Sequence, residues 1–329
     1  MAPIPVFAYY YIWFDPTSWD KYKLDYPLLG HYSSDDATVM RKHIEWAKAA
    51  RIQAFIVSWK STDRLNQRLA QLVQTAKSEN FKLAINYEGL DQQRTPLPVA
   101  QVASDFDYFI AHYADEPVFK IYDKPMMVWA GSWKFSTTDI ASVTQGRRDK
   151  LLILASDRDA AGIQRLNGMI DGDAYYFSSV NPETFPNYQA KLDAMSKAVH
   201  NQRGLWIASA APGFDARDID GTTVVDRKDG ATLQAEMNVA WRSSPDAIGL
   251  ISWNEFTENS YIEPSEKYGH KYLDMLDTIG KTQVPQISNL MMDSSDPGTG
   301  SEDFPMKAVA LGMIGTIILV SFVMIARRR

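Results

Sequence analysis

The first 280 residues alternate between two hydrophobic periods. Short apolar runs rich in Val, Ile, Leu and aromatic residues occupy 6–13, 54–58, 82–87, 126–129, 151–155, 174–177, 205–209 and 248–253. Between them, helical spacing recurs at 35–50, 63–79, 99–113, 188–201, 231–242 and 268–279, the first after a Ser33-Ser34 capping signal. The stretches after 129 and after 155 carry the weakest helical pattern. Eight strand-like runs, each followed by a helix, predict an α/β fold, a single-domain (β/α)8 barrel of the TIM type over residues 1–280 rather than an open doubly wound sheet. Neither G-x-G-x-x-G nor G-x-x-x-x-G-K-[ST] occurs, so the nucleotide-binding form of α/β architecture lacks its phosphate cradle.

The pattern changes beyond residue 280. Residues 281–307 are rich in Ser, Asp, Gly, Pro and Gln and predict a flexible stalk. Residues 308–326 form an uncharged run interrupted only by Thr316 and Ser321, and 327–329 are three arginines. About 17 to 25 apolar residues cross a bilayer core, so this run predicts one C-terminal transmembrane helix. By the positive-inside rule the arginines stay cytoplasmic and the barrel lies outside the cell, a single-pass cell-membrane protein. The opening residues show no basic region or separate apolar segment of a signal peptide. The orientation therefore needs either a leader absent from this chain or insertion of the tail after synthesis, and the arginines favour the former. As a coil the stalk would span roughly 25 to 30 Å, close enough to serve either a surface enzyme or a tethered adhesin.

Composition narrows the chemistry. All nine Trp and all sixteen Tyr precede residue 281, and up to residue 280 there are 29 Lys plus Arg against 36 Asp plus Glu. A net-acidic domain repels polyanions, which argues against a nucleic-acid partner. The absence of cysteine excludes disulfides, thiolate metal sites and a cysteine nucleophile. The five histidines form no H-E-x-x-H, and the acidic segment 215–221 lacks the acid at Ala216 and the glutamate at Arg227 that an EF-hand loop requires. That segment reads as a solvated loop with internal ion pairs, and no metal or other cofactor is expected.

In a (β/α)8 barrel the active site lies where strands end. Those ends here are Tyr9-Tyr10-Tyr11-Ile12-Trp13, Ser58-Trp59, Asn86-Tyr87-Glu88, Trp129, Tyr175-Tyr176 and Trp253-Asn254-Glu255. Flat rings with polar tips stack on sugar rings while amides and acids bond the hydroxyls, so Tyr10, Trp13, Trp59, Tyr87, Tyr176, Trp253 and Asn254 are candidate substrate contacts. Rings of this kind also build cores. Glu255 and Glu258, three residues apart past the last strand, are the candidate catalytic pair, because glycoside hydrolysis uses two carboxyl groups with different roles. Acids at this spacing also open ordinary helices.

The same residues carry a resemblance to glycoside hydrolase family 99, the endo-α-mannosidase and endo-α-mannanase family, over roughly residues 6–275. The matching pieces are Tyr9-Tyr10-Tyr11-Ile12-Trp13-Phe14, Gly30-His31-Tyr32-Ser33-Ser34, Val57-Ser58-Trp59, Ile85-Asn86-Tyr87-Glu88, Ala211-Pro212-Gly213-Phe214-Asp215-Ala216-Arg217 and Ser252-Trp253-Asn254-Glu255-Phe256-Thr257-Glu258, continued by Tyr261-Ile262-Glu263-Pro264. The family usually reads Asn-Glu-Trp-His-Glu-Gly in the penultimate piece, so Phe256, Thr257 and Asn259 depart from it while both acids stay in place.

The resemblance implies a retaining, endo-acting hydrolase of α-mannosidic linkages that works through a 1,2-anhydro sugar. Glu255 would be the base on the sugar's 2-hydroxyl, and Glu258 the acid on the departing oxygen and then the base on water. Glu88 would bind substrate hydroxyls and His31 would line the cleft. The expected partner is thus an α-mannoside-containing glycan or polysaccharide. Two alternatives stay open: an α-1,3-glucanase-type hydrolase, and a non-catalytic membrane-tethered barrel that binds glycans.

Overall fold

The computed structural model describes residues 3–290, with side chains to residue 281. Eight parallel strands close into a barrel: β1 (Val6–Tyr11), β2 (Ala54–Trp59), β3 (Lys82–Glu88), β4 (Met126–Ala130), β5 (Leu152–Ala155), β6 (Gly172–Ala174), β7 (Leu205–Ala210) and, after a small antiparallel hairpin of β8 (Phe214–Asp215) and β9 (Val224–Val225), β10 (Ala247–Leu250), which returns to β1. The helices are α1 (Ala37–Ala49), α2 (Asp63–Ser78), α3 (Val99–Tyr113), α4 (Thr137–Thr144), α5 (Ala160–Arg165), α6 (Tyr188–Asn201), α7 (Ala231–Arg242) and α8 (Lys271–Leu290). The short α4 and α5 fill the two stretches where helical periodicity was faint. The cap of α1 is Asp36, whose carboxylate accepts from the Thr38 N–H at 2.8 Å, rather than the preceding serines.

Alternation along each strand sorts the side chains into two cores. Phe7, Tyr9, Ile56, Val128, Leu154 and Ile207 fill the barrel interior. Tyr10, Phe55, Trp59, Tyr87, Trp129 and Trp253 lie in the outer layer that packs against the helices. Ladder partners hold neighbouring strand ends level, Tyr11 beside Ser58, Trp59 beside Tyr87, and Tyr87 beside Trp129. Gly172 lets β6 approach β7, since a Cβ there would lie 2.2 Å from the Leu205 carbonyl oxygen.

Three strands end earlier than their apolar runs, the first of them β1, which stops at Tyr11. β6 stops at Ala174, and β10 at Leu250. After Leu250 the chain remains wedged between its neighbours, with Ile251 N–H donating to the Ala210 carbonyl at 2.9 Å and Trp253 N–H to the Tyr9 carbonyl at 2.7 Å. Ser252 N–H turns instead to the Ser260 carbonyl at 2.8 Å, which starts a tight loop that carries both candidate acids.

The acidic segment 215–221 holds the expected internal pair, Asp215 with Arg217 at 2.5 Å. It is less solvated than expected: Asp218 is buried and accepts from the Leu24 N–H at 3.0 Å and from the Asn259 amide at 3.3 Å. α8 continues to Leu290, past the boundary at 280 where the stalk was expected to begin. Among the described residues no helix is long and apolar enough to cross a membrane, and the expected spanning run 308–326 and tail 327–329 lie outside them.

Candidate active site

The loop after β10 turns back on itself, so its acids face the barrel mouth instead of solvent. Glu255 is fully buried and Glu258 is 5% exposed. The Glu255 Oε1 accepts from the Thr257 hydroxyl and from the Thr257 N–H at 3.1 Å, while Oε2 has no partner. Glu258 has a weaker contact, the Ser178 hydroxyl at 3.5 Å from its Oε2. Beside the pair the Tyr11 and Tyr176 hydroxyls meet at 2.6 Å, and the Tyr176 ring stands edge-on to Tyr9 at 4.9 Å.

These environments separate the two carboxyl groups. Burial raises Glu255 to about 6, with the Thr257 hydrogen bonds and the Lys23 ammonium opposing the rise. Burial also raises Glu258, and the Glu255 charge adds to it, so that Glu258 reaches about 8 despite Arg94 and the Ser178 hydroxyl. Between these values one group is ionised and the other carries a proton, the division that acid–base glycosidase chemistry needs. Burial lowers Lys23, which sits 5.9 Å from the Trp19 ring centroid.

Glu88, from the end of β3, is partly exposed at the same mouth. Its Oε1 accepts from the Asn86 amide at 2.9 Å, and Asn86 also donates to the Ser58 hydroxyl at 3.1 Å. Burial raises the Glu88 pKa, with Ser58, Lys60 and Arg94 opposing. Trp13, partly exposed, leans on Tyr11 with ring centroids 4.3 Å apart. His31 is exposed and stacks on Trp19 at 6.0 Å, farther out along the aromatic group that includes Phe256. Among the described residues no group of three or more His, Asp or Glu is placed to hold a metal ion.

Four aromatic candidates are corrected, three by strand parity and Trp253 because its loop has left the ladder after Leu250. Tyr10 points outward, its hydroxyl on His43 Nδ1 at 3.0 Å and its ring stacked on Phe55. Trp59 is fully buried and donates from its indole nitrogen to Asn66 at 3.0 Å. Tyr87 donates to Asp105 on α3 at 2.9 Å, and Trp253 packs fully buried against Phe55 and His43. Each belongs to the layer between barrel and helices and is closed to a sugar in the mouth. Asn254 is also fully buried, and its amide is spent on the backbone of Tyr11. Tyr11 was the member of the tyrosine triplet to choose, because β1 residues of the same parity, Phe7 and Tyr9, line the interior. Ser178, Lys23 and Arg94 also come to the pair from elsewhere in the chain, with no local sequence signal to mark them.

A closed eight-stranded parallel barrel with a buried, unequally held carboxylate pair past its last strand is the framework of a barrel glycosidase. The chain belongs to glycosyl hydrolase family 99, whose family model matches residues 8–283. It is 24% identical over 276 residues to the glycoprotein endo-alpha-1,2-mannosidase of Rattus norvegicus, across 76% of this chain and 59% of that protein. The glycoprotein endo-alpha-1,2-mannosidase-like protein of Homo sapiens is 23% identical over 276 residues, across 76% of this chain and 60% of that protein. The chain thus spans about 60% of the length of these curated relatives. Among solved structures, the GH99 endo-alpha-mannosidase of Bacteroides thetaiotaomicron superposes with a TM-score of 0.71 at 20% identity, covering 83% of this chain and 95% of that one.

Proposed function

We propose that this protein is a retaining, endo-acting hydrolase of α-mannosidic linkages. The observation that carries the reading is the buried carboxylate pair past the last barrel strand, Glu255 held by Thr257 and Glu258 touched only by the Ser178 hydroxyl at 3.5 Å. At neutral pH Glu255 takes the proton of the sugar's 2-hydroxyl as that oxygen attacks the anomeric carbon. The bond to the leaving oxygen breaks, and Glu258 gives that oxygen its proton. The product of this step is a 1,2-anhydro sugar. Glu258, now ionised, takes a proton from water as it opens the strained ring, and Glu255 returns its proton to the 2-oxygen. Two inversions at one carbon retain the α configuration. Attack from the 2-oxygen requires it to lie trans to the leaving group, as α-mannosides provide and α-glucosides do not.

Tyr11, Tyr176, Trp13 and Glu88 shape the sugar subsites in this reading, with His31 on the outer rim. The membrane tether rests on the uncharged run 308–326 and the arginines that follow it. Protease protection of the barrel on intact cells would reverse the proposed orientation. The enzymatic reading is tested with the full chain and Glu258→Gln on α-mannan oligosaccharides and α-1,3-glucan, with products followed by proton NMR. α-Configured mannose oligomers that disappear in the variant support it. Cleavage of the glucan alone moves the substrate class, and binding without turnover in both proteins leaves a lectin.

A further inference from the structure

The two acids sit in a loop without regular structure, yet a catalytic carboxylate must be held to within about half an ångström of its working position. Two separate groups of buried side chains grip this loop, one on each side of the pair. On the Glu255 side, Asn254 is stitched to β1: its Oδ1 accepts from the Tyr11 N–H at 2.9 Å, and its Nδ2 donates to the Tyr11 carbonyl at 3.0 Å and to the Tyr32 hydroxyl at 3.3 Å. Tyr32 donates onward to Glu263 Oε2 at 2.9 Å. Glu263 Oε1 lies 3.0 Å from His43 Nε2, and His43 Nδ1 lies 3.0 Å from the Tyr10 hydroxyl. Asn254 and His43 are 0% exposed and Glu263 is 2% exposed. Every hydrogen of the Asn254 amide, both Glu263 oxygens and both His43 nitrogens are used, so the chain has one arrangement. It runs from α1 to the residue before Glu255, and through Tyr11 to the hydroxyl pair beside both acids.

On the Glu258 side the grip is a cation. Arg227 is buried, and its Nη2 donates to the Asn259 carbonyl at 2.9 Å and to the Tyr261 carbonyl at 2.8 Å. The guanidinium lies 4.5, 4.7 and 4.6 Å from the ring centroids of Tyr261, Tyr268 and Tyr272, which fix it in place. The Glu258 carbonyl itself accepts from the Asp215 N–H at 2.8 Å. No side-chain hydrogen bond links these residues to the first group, although Tyr261 packs in the same aromatic cluster as Tyr11 and Tyr32.

We propose that the pair is positioned by two hydrogen-bonding clamps: Tyr32, Glu263 and His43 position Glu255, and Arg227 with its three tyrosines positions Glu258. The proposal rests on the roles given above, in which Glu255 serves ring closure and Glu258 serves leaving-group departure. Those roles separate on the leaving group. A fluoride departs without a proton, so release of fluoride in the first turnover of an α-mannosyl fluoride reports ring closure alone, whereas a glycoside needs both acids.

The experiment compares the full chain carrying Glu263→Gln, Tyr32→Phe, Arg227→Met or Arg227→Lys with wild type and Glu258→Gln on a matched α-mannoside and α-mannosyl fluoride. Thermal melting accompanies each variant, and the milder Tyr32→Phe and Arg227→Lys serve where the others fail to fold. A displaced carboxylate costs about 10- to 100-fold in kcat with little change in KM. Glu263→Gln and Tyr32→Phe should lose that much on both substrates. The Arg227 variants should lose it on the glycoside and, like Glu258→Gln, regain first-turnover fluoride release. Arg227 variants that are slow on both substrates while Glu258→Gln recovers overturn the clamps alone. A Glu258→Gln variant that stays slow on the fluoride overturns the division of roles and the clamps with it. Losses confined to KM, or matched by equal losses of melting temperature in both groups, reduce the two networks to fold stability and overturn the proposal.

Discussion

Replacing Thr257 with valine keeps the shape of the loop but removes the one side-chain hydroxyl that donates to Glu255. The remaining donors are the Thr257 N–H at 3.1 Å and, more weakly, the Glu258 N–H. Glu255 is fully buried, so water does not replace the lost hydroxyl. A hydrogen bond to a charged group contributes about 1.5 to 3 kcal/mol. At about 1.4 kcal/mol per pH unit, the ionised form of Glu255 loses the equivalent of about 1 to 2 units. The sign is upward, because the bond favours the ionised form and its loss favours the proton. Wild type should show a bell-shaped kcat/KM profile with limbs near about 6 and about 8, set by Glu255 ionised and Glu258 protonated. In Thr257→Val the acid limb should climb to meet the alkaline limb, so the bell narrows and its peak falls. The assay is α-mannoside hydrolysis across the pH range in which both proteins remain folded. An acid limb that stays in place or moves down refutes the assignment of Glu255 as the base held ionised by Thr257.

Glu258→Gln should melt higher than wild type in alkali. The native Glu258 holds its proton to about 8 against an ordinary 4.5, so its contribution to stability is full below 4.5 and lost as pH rises through about 8. The gap in melting temperature should therefore open above 4.5 and level off beyond about 8; a gap independent of pH refutes the raised value. Trp13→Ala should raise KM about tenfold, the equivalent of about 1.4 kcal/mol. Trp59→Phe, which leaves the Asn66 oxygen unpaired in the outer layer, should lower stability by about 1 to 3 kcal/mol and leave KM unchanged. The reverse pattern in kinetics and chemical denaturation would return Trp59 to the cleft. Arg68 is 1% exposed and binds Asp15, Asp35 and the Ile12 carbonyl, so Arg68→Met should cost about 1 to 3 kcal/mol, less than a fully buried pair because Asp35 is half exposed. Arg68 holds Asp35 well below its ordinary 3.8, so the stabilisation is present above that pH and lost below it in denaturation curves.

Much of the site was legible because a (β/α)8 barrel puts chemistry at strand ends, and strand ends can be read from where apolar runs stop. Glu88, Glu255 and Glu258 stand at such stops. The rings misled where parity was left unused. Tyr10, Trp59 and Tyr87 sit at strand ends, but on the face that packs against helices, one residue away from Tyr11, Ser58 and Asn86, and Trp253 enters the same outer layer from the loop past β10. A displacement of one residue exchanges the two faces of a strand, so proximity to the end says nothing about direction. The overlong runs at 6–13, 174–177 and 248–253 failed for a related reason, since apolar residues continue where the backbone has already left the ladder.

The sequence by itself determined the order and number of the barrel strands, though not the β8–β9 hairpin, the acidic and cysteine-free character of the domain, and the presence of two acids past the last strand. These follow from local periodicity and from residue identity, which need no knowledge of distant neighbours. Only the tertiary structure decided how differently the two acids are surrounded. Thr257 lies two residues from Glu255, but Lys23, which favours the ionised form of Glu255, and Arg94 and Ser178, which limit the rise of Glu258, arrive from three other loops. His43 and Arg227, from an early helix and a late loop, grip the same turn from opposite sides. A carboxyl group's proton affinity depends on burial and on charges a few ångströms away. Closure of the barrel brings those charges together, and no stretch of neighbouring residues records them.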